Sequence, residues 1–316
     1  MTSRVEISAA IPCLNEAENV AAIVEAVARE FEKAQVGSYE MVFIDNGSTD
    51  GTIDILKGIC AIDSRIRLIV NNKNYGQMRS PTYGIYQTTG AAVVAISSDF
   101  QDPPEMIGQF IERWRAGALI VLGVRQSERQ SLIMRVVRAI GYGFFERFGD
   151  YRVIPGATGF GLYDRRVVDT LKQWRDPEPF FRGMLVESGF RLETIPYHRP
   201  GRAGGVSKNN FGTMVSFALA GLASCSKKLL RVPLYFAVII FVTMLATFLA
   251  AAVFAIFHRP AWLALGLAVA QGAFATICLF LGLIGEQVRL ISEMSRNTPL
   301  VIEKERVNFP RQGAEF

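Results

Sequence analysis

Histidine is nearly absent: His198 and His258 are the only two in 316 residues. That excludes chemistry built on a histidine triad or a histidine-rich metal centre. Cysteine is sparse as well, with single residues at 13, 60, 225 and 278 and no Cys-x-x-Cys pair. Neither a disulfide framework nor a zinc site follows, and a reducing compartment is expected. Charge is thin at 20% of residues, whereas ordinary soluble domains carry nearer a quarter. With 50% hydrophobic residues and a mean hydropathy of +0.23, disorder is excluded and a membrane part is indicated. The net charge of +5 is small and dispersed, which gives no ground for a nucleic-acid partner. No signal peptide is expected either: the apolar run Ile7–Ile11 is short and is broken by Pro12 and Asn15, which places the front of the chain, by expectation, in the cytoplasm.

What is present falls into two parts. From about residue 5 to 125, short apolar runs alternate with helical periodicity. The runs are Val5–Ile11, Tyr39–Ile44, Arg67–Val70, Ala92–Ile96 and Leu119–Val124. Between them lie helix candidates at Glu18–Gln35, Thr52–Ala61, Arg79–Thr88 and Glu105–Ala116. In the first, Val20, Ile23, Val24, Val27 and Phe31 mark one buried face. This alternation predicts an α/β domain with a mostly parallel sheet covered on both faces. Residues 126–200 are less regular, with a basic helix candidate at Ser131–Phe148 and a strand candidate at Gly159–Tyr163. Helix candidates follow at Arg166–Trp174 and Phe181–Ser188, then a last strand near Arg191–Pro196. The stretch His198–Asn210 is rich in glycine and basic residues and reads as a mobile loop.

The second part is apolar. Phe211–Ser226 fits a helix lying in the membrane interface. Val232–Phe257 and Ala261–Gly285 carry no charge, and each runs to about 25 residues, more than the roughly 20 that span a bilayer. Lys227, Lys228 and Arg231 precede the first run; Arg289, Arg296, Lys304 and Arg306 follow the second. The positive-inside rule therefore puts both termini in the cytoplasm and only the tip around Arg259 outside. The expected organisation is a cytoplasmic domain at 1–200, a basic loop and interfacial helix at 201–231, a transmembrane hairpin at 232–285 and a cytoplasmic tail at 286–316.

In open parallel sheets, ligands bind at the carboxyl ends of the strands. Three strand-end turns here are acidic or amide-rich: Pro12-Cys13-Leu14-Asn15-Glu16, Asp45-Asn46-Gly47-Ser48, and Ser98-Asp99-Phe100-Gln101-Asp102-Pro103-Pro104-Glu105. Any one Asx residue there could simply cap a helix. Three such turns on one sheet edge point to a nucleotide and metal site.

These residues resemble family 2 glycosyltransferases with the nucleotide-diphospho-sugar transferase fold (Rossmann-like, GT-A type). The nearest branch is that of the polyprenyl-phosphate hexosyltransferases, which act on dolichyl or undecaprenyl phosphate. The resemblance extends over Gly123-Val124-Arg125, Arg202 with Gly205-Val206-Ser207-Lys208, and the apolar hairpin. It implies that Pro12, Asn15, Glu16, Asp45 and Asn46 line the nucleoside pocket and that Gly76-Gln77 form the turn approaching the donor. It further implies that Asp99 and Gln101 ligate Mg²⁺ or Mn²⁺, with Asp102 supporting their turn. Arg125 would face the lipid phosphate, and Arg202, Ser207 and Lys208 would close on the pyrophosphate; Asp99, Arg125 and Lys208 are the catalytic candidates. The partners implied are a nucleotide-sugar (UDP favoured), polyprenyl phosphate, the lipid bilayer of the cytoplasmic membrane and, from relatives, a homo-oligomer. Three motifs depart from the family pattern: Asn46 and Ser97 stand where relatives carry Asp, and Thr158-Gly159-Phe160-Gly161-Leu162 lacks an Asp and an Arg. A phosphate monoester is largely dianionic at neutral pH and needs no general base, so the loss at Gly159 is chemically tolerable. Two other readings remain open here: transfer to a hydroxyl-bearing lipid or glycan, and a catalytically decayed nucleotide-sugar-binding scaffold.

Overall fold

The computed structural model describes residues 5–126, 154–177, 179–198 and 299–309, with individual positions between 266 and 291. The basic helix candidate at 131–148 and the loop from 199 onward with Arg202, Ser207 and Lys208 lie outside the described residues. So do the interfacial helix candidate, the first apolar run and the hairpin tip.

Strands β1 (Ile7–Cys13), β2 (Tyr39–Asp45) and β3 (Ile66–Asn71) alternate with helices α1 (Val20–Lys33) and α2 (Thr52–Ile62). Helix α3 (Gly76–Tyr86) then leads into β4 (Ala92–Ala95). A short 3₁₀ turn at Pro104–Met106 precedes α4 (Ile107–Arg115) and β5 (Ile120–Arg125). Beyond these come β6 (Ala157–Asp164), α5 (Arg165–Lys172), α6 (Phe181–Glu187), β7 (Leu192–Tyr197) and β8 (Glu303–Val307). The eight strands form one sheet in the order β7-β5-β6-β4-β1-β2-β3-β8.

Successive side chains of a strand face opposite sides, and the core divides accordingly. Ala9 and Ile11 point to the face covered by α1, α2 and α4, where Val20, Ile23, Val27, Phe31 and Phe110 are buried. Ala10 and Val93 point to the other face, against Ile85, Val167, Leu171 and Leu185 of α3, α5 and α6. The apolar face read for the first helix is the one that packs.

The chain runs from β1 through β2 to β3 in one direction across the sheet, then returns to place β4 on the other side of β1. The carboxyl ends of β1 and β4 thus flank a topological switch point, the place where open sheets leave a crevice for ligand.

The sheet is more mixed than the alternation predicts. β6 is antiparallel to both β4 and β5, and β8 is antiparallel to β3. Apolar runs show that a strand exists but carry no record of its direction. The insertion matters, because an antiparallel β6 begins at the edge where the parallel strands end, bringing Thr158-Gly159-Phe160 there. Three helices also start two or more residues away from the expected positions, the first being α1, which begins at Val20 instead of Glu18. α3 begins at Gly76 instead of Arg79, because Gly76 adopts φ +82° and Asn74 Oδ1 accepts its N–H. α4 begins at Ile107 instead of Glu105, because Pro103-Pro104 tightens the first turn.

Part of the stretch read as a tail supplies β8, the far edge strand. Among the described residues no helix is long and apolar enough to cross a membrane. The described positions between 266 and 291 are helical and carry exposed Ile277, Leu281, Ile284, Val288 and Ile291 at helical spacing.

Candidate active site

The register Cys13↔Asp45 ends β1 and β2 side by side, and the two turns beyond them are knitted together. Asn15 adopts φ +56°, a left-handed conformation that Asn tolerates better than most residues. Its N–H donates to Ser48 Oγ at 2.8 Å, and its Oδ1 accepts from Thr49 N–H at 2.8 Å. Glu16 is buried, receives Asn19 Nδ2 at 2.6 Å, and donates its backbone N–H to Thr52 Oγ1 at 2.9 Å. Asp45 is wholly buried: its Oδ1 accepts the N–H groups of Gly47 (3.0 Å) and Ser48 (2.9 Å), while Cys13 Sγ lies 3.8 Å from Oδ2. The carboxylate therefore shapes the turn from beneath. Burial, followed by the charge of Asp45, pushes the Cys13 thiol well above its usual value, so it is no nucleophile.

Asn46 is the hinge to the next loop. Its Nδ2 donates to Asn74 Oδ1 (2.9 Å) and to the Gly76 carbonyl (3.2 Å), and its Oδ1 accepts the Tyr75 N–H at 2.8 Å. An aspartate here could accept from Tyr75 but could not donate to either oxygen, so the amide is the side chain this loop requires. Gly76 and Gln77 accordingly stand in the first turn of α3, held against the second strand-end turn.

The third turn joins the first through Ser98, whose Oγ donates to the Pro12 carbonyl at 3.0 Å. That bond closes the switch point. Within the turn, Phe100 adopts φ +57° and the Gln101 N–H donates to Asp99 Oδ1 at 3.1 Å. Ser97 Oγ lies 2.9 Å from Asp99 Oδ1 and 2.7 Å from Asp102 Oδ2, with its N–H 3.2 Å from the same Oδ2. A third carboxylate at position 97 would face two others at hydrogen-bond distance; the hydroxyl ties them together instead. Asp102 also accepts from Tyr197 Oη at 3.1 Å. Tyr197, at the end of β7, is a site residue that the sequence motifs do not flag. Its signal is indirect: it closes the last strand directly before the basic loop.

Arg125 ends β5, opposite Tyr197 in register, and its N–H donates to the Gly156 carbonyl at 3.0 Å. β6 lies between β5 and β4, so Arg125 is displaced from the Asp99 turn by two strand spacings, roughly 10 Å. The departures in β6 have local causes. A Cβ at Gly161 would lie 2.2 Å from the Val121 carbonyl oxygen, so no arginine fits the observed strand pairing. Gly159 adopts φ +96° in open space, a conformation that an L-aspartate rarely adopts.

Among the described residues no group of three or more His, Cys, Asp or Glu side chains is gathered to hold a metal. Mg²⁺ does not require such a cage, since it is commonly held by one or two carboxylates and the substrate's own phosphates; Mn²⁺ likewise favours oxygen ligands. Asp99, with Gln101 beside it, fits that limited donor role. Asp102, engaged by Ser97 and Tyr197, fits a supporting one.

The sequence profile described as "Glycosyl transferase family 2" matches residues 8–171, from β1 to α5. A bactoprenol glucosyl transferase of Shigella phage SfX is 32% identical over 232 residues, 73% of this chain and 75% of its own. The uncharacterized glycosyltransferase YkcC of Bacillus subtilis (strain 168) is 28% identical over 307 residues, 96% of this chain and 94% of its own. Among solved structures, glucosyl-3-phosphoglycerate synthase from Mycobacterium tuberculosis in complex with uridine-diphosphate has a TM-score of 0.48 at 18% identity. That overlay covers 70% of this chain and 80% of the other, a likeness too slight to carry an assignment.

Proposed function

The chain belongs to glycosyl transferase family 2, and we propose that it moves a hexose from a UDP-sugar to polyprenyl phosphate, inverting the anomeric carbon, at the cytoplasmic face of a membrane. The bactoprenol glucosyl transferase relatives support the lipid-phosphate acceptor. The observation that carries the reading is the Ser98–Pro12 bond, which brings the Asn15 and Asp45 turns and the Asp99 turn to one crevice.

In this reading, Pro12, Asn15 and Glu16 form the nucleoside wall over the Asp45 turn, and the Asn46-bound loop with Gly76 and Gln77 closes its side. Asp99 and Gln101 would hold a divalent cation on the donor diphosphate, where it supplies charge neutralisation for the departing nucleoside diphosphate. Arg125 holds the acceptor phosphate with a planar fork matched to its oxygens. Arg202, Ser207 and Lys208 belong to the loop that closes on the pyrophosphate. The dianionic phosphate oxygen attacks the anomeric carbon directly as the glycosidic C–O bond to the diphosphate breaks; no side chain takes a proton. The apolar runs at 232–257 and 261–285 anchor the domain as a membrane hairpin with both termini cytoplasmic, an arrangement supported by the exposed apolar stripe from Ile277 to Ile291. Assembly as a homo-oligomer in the bilayer belongs to the same proposal.

The test is a panel of nucleotide-sugars, each with Mg²⁺ or Mn²⁺, offered to undecaprenyl phosphate with product detected by mass. One hexosyl-phosphoryl-undecaprenol product from a UDP-sugar is expected. Transfer to diacylglycerol or ceramide, with none to undecaprenyl phosphate, would overturn the acceptor assignment.

A further inference from the structure

The loop 72–76 has two walls. One is the β2 turn: Asn46 bonds Asn74, Tyr75 and Gly76, and a Cβ on Gly47 would lie only 3.0 Å from the Lys73 carbonyl carbon and 3.1 Å from the Asn74 nitrogen. The other wall comes from more than 220 residues further along the chain. The Asn72 N–H donates to the Ile302 carbonyl at 3.0 Å. Arg79 lies 5.5 Å from the Tyr75 ring centroid and donates from Nε to the Leu300 carbonyl and from Nη2 to the Pro299 carbonyl, both at 2.9 Å. Tyr75 Oη donates to Asn72 Oδ1 at 2.6 Å, tying these two contacts to each other.

That second wall is firmly seated. Val301 is buried, and Leu300 packs on the cluster of Ile85 and Tyr86. β8 pairs with β3 from Leu68↔Val307 to Asn71↔Glu303, and Phe309 packs beside Val42, Ile44 and Ile69. Arg306 holds Glu303 at 2.6 Å and Gln87 at 2.7 Å, while Tyr83 Oη donates to Glu303 at 2.8 Å. Between Ile291, the last described position of the apolar helical stretch, and Pro299 run eight residue steps, which reach at most about 28 Å. The loop is therefore tethered to the segment that the anchor carries.

We propose that residues 299–309 form a strap that sets the nucleoside-diphosphate site from outside, with Arg79 as its positioning residue, so that donor affinity depends on chain lying beyond the apolar runs. This rests on the reading that the Asp45–Ser48 turn and the 72–77 loop hold the donor. By reciprocity of linkage, bound nucleotide must then stabilise the strap.

The experiment uses the full chain in lipid nanodiscs and measures UDP binding by calorimetry, donor and acceptor KM, and backbone hydrogen exchange. Arg79→Ala is expected to weaken UDP and raise the donor KM roughly tenfold, as loss of charged hydrogen bonds does, with kcat and acceptor KM within about twofold. Arg79→Lys, which can still reach one carbonyl, should fall between. Lys57→Ala removes the exposed pair with Glu305 and leaves UDP affinity unchanged. In the unaltered protein, saturating UDP should slow exchange at 299–309, a readout that needs no variant to fold. If Asn46→Ala weakens UDP while Arg79→Ala does not and the strap exchanges unchanged, the strap inference fails and the donor site stands. If Asn46→Ala leaves UDP affinity intact, the donor-site reading fails and takes the strap with it.

Discussion

Tyr197 donates its phenolic hydrogen to Asp102 at 3.1 Å, joining the end of the outermost strand β7 to the acidic turn after β4. Gly123 leaves room for the Tyr197 ring: a Cβ there would come 2.8 Å from the Phe160 ring and 3.2 Å from the Tyr197 ring. Phe160 and Tyr197 meet edge to face at 5.5 Å. Tyr197→Phe removes one hydrogen bond to a carboxylate, worth about 1.5–3 kcal/mol. A lower Tm together with a reduced kcat is expected, whereas a lower Tm with unchanged kcat would make the tyrosine a packing residue only.

Asp99 and Arg125 separate by the kind of loss they produce. Asp99→Asn should cut kcat by a hundredfold or more, on the order of removing one preorganised charge-stabilising group, while the melting curve stays put. Arg125→Ala should raise the KM for lipid phosphate more than that for nucleotide-sugar. Steady-state kinetics with each substrate varied in turn distinguishes the two, and equal KM effects would count against the acceptor role of Arg125.

The two glycines of β6 should respond differently to alanine. Gly161→Ala drives a methyl into the Val121 carbonyl at 2.2 Å and should cost about 3 kcal/mol or more, seen as a large fall in Tm. Gly159→Ala meets nothing within 4 Å and bears only its positive φ, a cost of about 1–2 kcal/mol.

Stability should fall in acid through Asp164, the N-cap of α5. Burial raises its carboxyl, but hydrogen bonds from Arg166 and from Trp114 Nε1 (2.9 Å) outweigh that and hold it below its ordinary value of 3.8. A depressed carboxylate contributes its full stability above the ordinary value and loses it as pH falls through the lowered one. Asp164→Asn keeps a capping oxygen without the charge. It should be about 1 kcal/mol less stable at pH 7, with the difference shrinking between pH 5 and pH 2 in denaturant titrations.

The parts of the site that could be read in advance are those in which chemistry and local conformation coincide. Asn15, Asp45, Asn46 and Asp99 sit in strand-end turns, where short polar side chains cap nearby amides and where ligands gather. Tyr197 could not be found in this way, because its partner is 95 positions away and a tyrosine ending a strand is commonplace. Ser97 stands out only as a missing acid; that its hydroxyl lies against both Asp99 and Asp102 emerges from three-dimensional distances alone.

Periodicity and the placement of polar residues at strand ends determine a great deal by themselves: the α/β class, the inward face of α1, the edge of the sheet that carries chemistry and the two uncharged apolar runs. These follow from forces acting between residues a few positions apart, which leave their mark on the sequence. Tertiary structure alone decides that β6 runs against its neighbours, that Gly161 must lack a side chain, and that Glu303–Val307 returns to the sheet as β8. Those outcomes depend on which distant segment comes alongside, and strand pairing through backbone N–H and C=O groups, common to every residue but proline, leaves little trace in side-chain identity.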